Sequence, residues 1–454
     1  MAPGVLESDD QRSVASPYIP AGKVASQTNG GNGLTAADYM EYEDNYSVNG
    51  MPPHRVVIHR ALGSYMWDLE GRRYVDFLSA YGSVNQGHCH PRVVAAVVEQ
   101  CKRLTISGRG VYNEAYSLMC KKLSETLGFE RVAATNSGSE AVDFAIRLSR
   151  KWGYQKKGIA PDQAWILTAS GNYHGRTMTP LSVSTNPNFR EDCGPFVPAM
   201  GSTISDRVNR FGNIDDLRTI FENDGHRIAA FMMECVQGNA GCLPVPDGYL
   251  GQARKLCDEH QILFICDEIQ CGLGRSGYLM TPEREGVRPD ILLLGKSVTA
   301  GTVPMGVVLA DNSIMSLMKH GQHGSTFAGN SMACAAAYAA VEVIVQESLP
   351  ERCLKLGKVL LERLASINSP FVARATGSGF FCSLWLNPDP RGRVTGRRLA
   401  ALLLERGILT HAYGDKIRIS PPLNIDEDEL WNCVSIIEKA LQDLPNISER
   451  IANE

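Results

Sequence analysis

Between residues 131 and 310 the chain alternates short apolar runs (RVAAT, AWILTAS, IAAFMMECV, ILFICDEI, ILLLGK, GVVLA) with longer, mostly amphipathic stretches. Such a rhythm predicts strand and helix in turn, hence an α/β fold with a mainly parallel sheet flanked by helices. Two of the runs stop on charged residues, Asp267 with Glu268 and Lys296. In open α/β sheets ligands bind outside the C-terminal ends of the strands, so both stops fall where chemistry is expected.

The flanking segments read differently. Residues 1–38 are rich in Gly, Ser, Asn and Asp without hydrophobic periodicity and are expected to form a disordered arm. Residues 55–78 carry β-branched and aromatic residues around a charged turn at Glu70, Gly71, Arg72 and Arg73, which predicts an antiparallel hairpin. Beyond about residue 330, helices and strands follow one another without a βαβ rhythm, suggesting a smaller α+β domain. The expected organisation is a small domain built from residues 39–90 and 331–454 around a large domain over 91–330.

Composition narrows the function. Lys and Arg number 45 against 49 acids, and no long basic run occurs, so nucleic acid is not an expected partner. The most apolar stretch, residues 333–345, is interrupted by Tyr338 and Glu342 and is shorter than the roughly 20 residues that cross a bilayer, so no membrane partner is expected. Thirteen cysteines without a Cys-x-x-Cys pair read as reduced thiols. The first twenty residues lack the apolar stretch of a secretory signal and the acid-poor character of a mitochondrial presequence, which makes the cytoplasm the expected location.

Taken alone, each candidate residue has a bland reading. Asp267 could bind a metal ion, cap a helix or face the protonated ring nitrogen of a cofactor. Lys296 could mark the mouth of a sheet or form a Schiff base, since a buried amine is costly unless deprotonated, paired or covalently used. Ser137, Gly138 and Ser139 stand between RVAAT and a helix, where they would cap the helix or cradle a phosphate. Tyr173 and Arg176 follow AWILTAS in the segment GNYHGRT, where a ring could stack on a planar cofactor and a guanidinium could grip a carboxylate.

In combination, these segments resemble the class III aminotransferases, the fold-type I group dependent on pyridoxal 5'-phosphate, and most closely the ornithine aminotransferases. LSAYGSVNQGHCHP, RKWGY, GNYHGRT, FMMECVQGNAG, DEIQCGLGRSG, LLGKSVTAG and HGSTFAGN carry the resemblance, over about residues 45–443. It implies that Lys296 holds the cofactor covalently and then shuttles a proton, and that Asp267 keeps the pyridinium nitrogen protonated. Ser137, Gly138 and Ser139 would hold the phosphate with Thr326 from a second subunit, making a homodimer with shared sites. Tyr173 would stack on the ring, Gln270 would lie near its 3-hydroxyl, and Glu234 would stand beside the site. Substrates would be an amino acid and a 2-oxo acid, with Arg418 on the α-carboxylate of glutamate or its keto acid, Arg176 on the distal carboxylate, and Tyr81 contributing to ornithine recognition.

The substrate residues depart from the family pattern. In that pattern a glutamate in QGEAG masks the first arginine when a terminal amine reacts; this chain has Asn239, which cannot form that ion pair but could hydrogen-bond Arg418. An ungapped count from Trp67 puts Met51 where the family has an ornithine-binding tyrosine, and Tyr46 could serve only with a loop insertion. His174 replaces the tryptophan usual in ornithine enzymes. The expected activity is transfer of the terminal amine of an ornithine- or lysine-like donor to a 2-oxo acid such as 2-oxoglutarate, giving a semialdehyde. The alternative is chemistry at an α-carbon: α-transamination, racemisation or decarboxylation. A dinucleotide loop at residues 272–277 (GLGRSG) is opposed by the two preceding acids and by the lack of a following helical pattern. His88 and His90, flanking Cys89, have no second cluster at zinc spacing and read as a turn, so no metal is expected.

Overall fold

The computed structural model describes residues 33–48, 50, 53–387 and 389–447. Its centre is a seven-stranded sheet. In spatial order the strands are Arg131–Thr135, Gly306–Ala310, Ile291–Leu294, Leu263–Asp267, Ile228–Met233, Trp165–Thr168 and Met200–Gly201. Only Gly306–Ala310 runs against its neighbours. The short edge strand Met200–Gly201 has no signature among the apolar runs.

Successive residues of these strands point to opposite faces, and both faces are covered. Phe231, Met233, Phe264, Cys266, Leu292 and Leu294 enter one hydrophobic cluster. Ala230, Met232, Leu263, Ile265, Ile291 and Leu293 enter the other. That double burial is why each run reads as continuously apolar instead of alternating. The helix Gly138–Trp152 covers the second face with Val142, Phe144, Ala145 and Leu148. Ser137 caps it, Glu140 lies in its first turn and Arg150 and Lys151 lie in its last, matching the helix dipole.

Elsewhere the structure refines the expectations. The segment 55–78 forms three antiparallel strands, Ile58–Leu62, Tyr65–Asp68 and Arg73–Asp76, because Gly63 makes a second turn. Ile408–Leu409 joins them in parallel with Arg73–Asp76, tying the early chain to the late chain. A second four-stranded sheet contains Val372–Ser378, Phe381–Leu386, Lys416–Ile419 and Ala412–Tyr413.

Most of the arm expected over residues 1–38 lies outside the described residues, as does Met51. Residues 36–38 begin a helix, Ala36–Tyr46: the Asp38 amide donates to the Thr35 hydroxyl while the Thr35 amide donates to the Asp38 carboxylate, a local cap that overrides the polar composition. All thirteen cysteines are free thiols. Among the described residues no single helix is long and apolar enough to cross a membrane.

Candidate active site

A cavity of about 170 Å³ opens at the C-terminal ends of the central strands, lined by Ser137, Gly138, Ser139, Tyr173, Glu234, Asp267, Gln270 and Lys296, together with His174, Gly175 and Ile269. The topology makes this gathering. Leu263–Asp267 and Ile291–Leu294 are parallel neighbours with Asp267 opposite Leu293, so Lys296 emerges at the same end one step further along.

Lys296 has φ 45°, a left-handed conformation unusual for a side chain with a Cβ. Such a residue carries strain of about 1–3 kcal/mol and persists only where its surroundings over-determine it. Here the Val298 amide donates to the Gly295 carbonyl, while Asn85 and Gln86 donate to the Ser297 hydroxyl and carbonyl. Burial pushes the Lys296 amine below the ordinary lysine range, against the opposing pull of the Asp267 and Glu234 carboxylates.

Asp267 is buried but well partnered. Its Oδ1 accepts from the Ile269 amide at 3.1 Å, and its Oδ2 lies 2.6 Å from Nδ1 of His174. Burial works against a charged His174, yet the hydrogen bond and charge of Asp267, with Glu234 beyond, hold the imidazole above its ordinary range. The neighbouring acid has another job: Glu268 Oε2 accepts from the amide and hydroxyl of Thr281, both at 2.7 Å.

Glu234 follows strand Ile228–Met233, and its Oε1 accepts from the Tyr173 amide at 2.9 Å. Burial, and then the nearby Asp267 charge, outweigh the His174 contribution and raise its carboxyl from 4.5 to about 7. A raised acid pKa means the folded state holds the proton longer than the unfolded chain does. Glu234 should therefore make the cofactor-free protein lose stability, on the order of 3 kcal/mol, as pH rises from about 4.5 to about 7. Glu234→Gln keeps an acceptor for Tyr173 and should flatten that loss. Denaturant unfolding from pH 5 to pH 8 checks it, and parallel curves for both proteins would refute it.

The phosphate-cradle segment has a double character. The Glu140 amide donates to Ser137 Oγ at 3.2 Å, so Ser137 is a helix cap, as its bland reading expects. The first-turn amides of a helix nonetheless have no carbonyl partner one turn back and favour an anion. Space is tight around them: a Cβ on Gly138 would lie 3.0 Å from Ile269 Cδ1. Gly175, at φ 127°, would collide with Ser139 Oγ if it carried a side chain.

The substrate residues are more dispersed. Arg418 is 1% exposed, its guanidinium lies over the rings of Phe381 and Tyr413 at 4.8 and 5.0 Å, and one Nη donates to the Gly238 carbonyl at 3.0 Å. Its other Nη is buried without a partner among the described residues. Asn239 makes no hydrogen bond to it, so the bond considered from the sequence goes to the adjacent main chain instead. Arg176 is exposed over the Phe189 ring at 4.6 Å. Tyr81 is half-buried, within electrostatic reach of both arginines. Thr326 is exposed and does not line the cavity of its own chain, and Tyr46 is 86% exposed and does not line it either.

Sequence reasoning missed the His174 contact with Asp267 and the aromatic cover of Tyr413 on Arg418. The imidazole beside Tyr173 in GNYHGRT is the one signal for the first; nothing local marks the second. Residues 272–277 form a turn with Arg275 fully buried, followed by no helix before the short 3-10 turn Thr281–Glu285. His88 and His90 face separate acids, Asp76 and Glu347.

Residues 46–441 match the family described as aminotransferase class-III. The ornithine aminotransferase of Emericella nidulans is 40% identical over 92% of this chain and 95% of its own length. A mitochondrial ornithine aminotransferase of Arabidopsis thaliana is 41% identical over 90% of this chain and 86% of its own. The crystal structure of the ornithine aminotransferase from Toxoplasma gondii ME49 superposes with a TM-score of 0.86 at 34% identity, covering 91% of this chain and 97% of that one. The chain belongs to the class III aminotransferases. It is a fold-type I transaminase dependent on pyridoxal 5'-phosphate.

The residues present fit that cofactor. The cavity offers a buried carboxylate, a partly buried amine and a helix N-terminus for an anion, and Nε2 of His174 is buried without a partner among the described residues.

Proposed function

We propose that this chain moves the terminal amine of a basic or ω-amino acid, ornithine or a lysine-like donor, to a 2-oxo acid such as 2-oxoglutarate, leaving a semialdehyde. The observation that carries this reading is the meeting of Lys296, Asp267 and the amide-rich turn 137–139 in one cavity, beside two guanidiniums, Arg418 and Arg176, with no carboxylate partner among the described residues. Two cations without a carboxylate partner among the described residues suit a substrate with two carboxylates. The ornithine-enzyme relatives do not favour the α-carbon alternative.

Bound pyridoxal 5'-phosphate supplies an electron sink for the pair left behind when a proton leaves the amine-bearing carbon. Ser137, Gly138 and Ser139 would hold its phosphate, joined by Thr326 of a second subunit. Tyr173 and Gln270 would hold the ring, and Asp267, steadied by His174, would keep the ring nitrogen protonated. Lys296 would hold the cofactor through its ε-nitrogen, and its amine, whose pKa burial lowers, would take and return the proton of the donor carbon. Arg418 and Arg176 orient the carboxylates, with Tyr81, Glu234 and Asn239 shaping the donor end.

A homodimer supports the Thr326 role, since Val111, Tyr112 and Phe327 are large apolar side chains left exposed on neighbouring segments. The pairing of Ile408–Leu409 with Arg73–Asp76 supports a small domain drawn from the early and late parts of the chain, residues 39–90 and from 331 onward. The free thiols favour a reducing compartment, for which we propose the cytoplasm; fractionation of cells would test it.

Incubating purified holoprotein with ornithine or lysine and 2-oxoglutarate should yield glutamate and the semialdehyde, mapped by mass spectrometry. Absence of glutamate with every terminal-amine donor would refute the reading. Asn239→Glu tests the substrate side separately. A carboxylate there would compete for Arg418, and a charge-assisted bond of about 1.5–3 kcal/mol corresponds to a KM for 2-oxoglutarate raised roughly 10- to 100-fold. The donor KM should move much less; an unchanged 2-oxoglutarate KM would show that Arg418 does not hold the acceptor.

A further inference from the structure

Ser79, Ala80 and Tyr81 have φ of 52°, 45° and 62°, and Gly82 follows at 86°. Three successive residues with a Cβ in the left-handed region are each strained, because the Cβ crowds the neighbouring carbonyl. Strain of this kind persists only where other groups hold it, and it clusters at functional sites.

Asp76, 1% exposed at the end of strand Arg73–Asp76, is the principal holder. Its Oδ1 accepts from the amides of Leu78 and Ser79, both at 2.8 Å, and its Oδ2 lies 2.7 Å from Nε2 of His88. Ser79 Oγ donates to the Ser420 carbonyl at 2.6 Å, and the Ser420 amide donates to the Phe77 carbonyl at 2.8 Å. The turn is thus fastened to the chain two residues beyond Arg418.

Its far side meets the cofactor cavity. Gln270 Nε2 donates to the Tyr81 carbonyl at 3.4 Å, and a Cβ on Gly82 would lie 3.3 Å from the Gln270 carbonyl oxygen. The Tyr81 ring stands edge-on to His411 at 6.1 Å. One strained turn therefore sets the position of a donor-side ring and of a cavity-lining amide.

We propose that Asp76, backed by His88, is a positioning residue of the transamination: it holds the left-handed turn 79–82 and thereby places Tyr81 for the donor and Gln270 for the cofactor. The Tyr81 half rests on the donor role proposed above; the Gln270 half does not. An acid that served only the stability of the core would lower the melting temperature on substitution while leaving the ratio of donor KM to 2-oxo acid KM unchanged.

The test uses holoenzyme carrying Asp76→Asn, Tyr81→Phe, both together, and Asp76→Asn with Ala80→Gly. Asp76→Asn should raise the donor KM by about tenfold, the loss of one charge-assisted hydrogen bond, with the 2-oxo acid KM within about twofold. The double variant with Tyr81→Phe should be no worse than the poorer single variant, since both break one arrangement. Ala80→Gly removes a Cβ from the strained turn and should restore most of the loss. Multiplying effects, or no rescue by glycine, would overturn the proposal.

Should Tyr81→Phe leave the donor KM unchanged, the Tyr81 role fails by itself. The Asp76 role is then read from the absorbance of bound cofactor, which Asp76→Asn should shift in the same direction as Gln270→Ala; an unshifted band overturns it. If Asp76→Asn does not fold, His88→Gln, which disturbs only the Oδ2 side, should raise the donor KM by about threefold and be rescued by Ala80→Gly, with an unchanged KM overturning the proposal.

Discussion

Lys296→Ala is expected to lower turnover by at least about a thousandfold while leaving the protein folded, as loss of a covalent and proton-transferring group does elsewhere. Among the residues lining the cavity, only this one brings an amine, and burial lowers its pKa, which favours the neutral form that can take a proton. Its left-handed backbone is fixed by neighbours, so the position cannot readily be filled by a shift of the chain. Borohydride treatment of holoprotein followed by peptide mapping should put the pyridoxyl mass on the Lys296 peptide in the parent chain and nowhere in the variant. An unlabelled parent peptide, or turnover within tenfold of the parent, would end the proposed chemistry.

Asp267→Asn should cost about a hundred- to a thousandfold in turnover with little change in structure, in the range expected for loss of one preorganised electrostatic partner. Asparagine can still accept from the Ile269 amide and can still meet His174, but it brings no negative charge. Lys296 would lose the charge that most opposes its lowered pKa. His174 gives the variant a second readout. A histidine whose folded pKa is raised adds stability below its unfolded pKa and loses it as pH rises through the folded value. Since Asp267 is what raises it, the variant should lose more stability relative to the parent at pH 5.5 than at pH 9. Denaturant midpoints of the cofactor-free proteins measure this. A gap that widens at high pH would mean that the His174 pairing is not what Asp267 stabilises.

Lys296 and Asp267 are legible in the order of the residues because both facts that reveal them are local. A strand buried on both faces leaves a continuous apolar run, and a charge ending such a run must sit at the strand's end. Ser137 is equally legible, since a cap needs only the next three residues. The helix at Ala36–Tyr46 shows the limit of composition: a polar segment predicts an arm as far as residue 38, and one reciprocal pair of hydrogen bonds at Thr35 and Asp38 starts a helix there instead.

What the sequence by itself determined is therefore the alternating architecture, the candidate residues that the fold gathers in one cavity and the family, because periodicity, capping and motif spacing act over a few residues at a time. The tertiary structure alone decided that His174 meets Asp267 from 93 positions away, that Arg418 rests on the Gly238 carbonyl and not on Asn239, and that the turn at Ser79 is fastened to the Ser420 carbonyl. Those contacts depend on strand register and on how separate segments pack, and a long-range hydrogen bond between polar groups leaves no pattern in the order of the residues that make it.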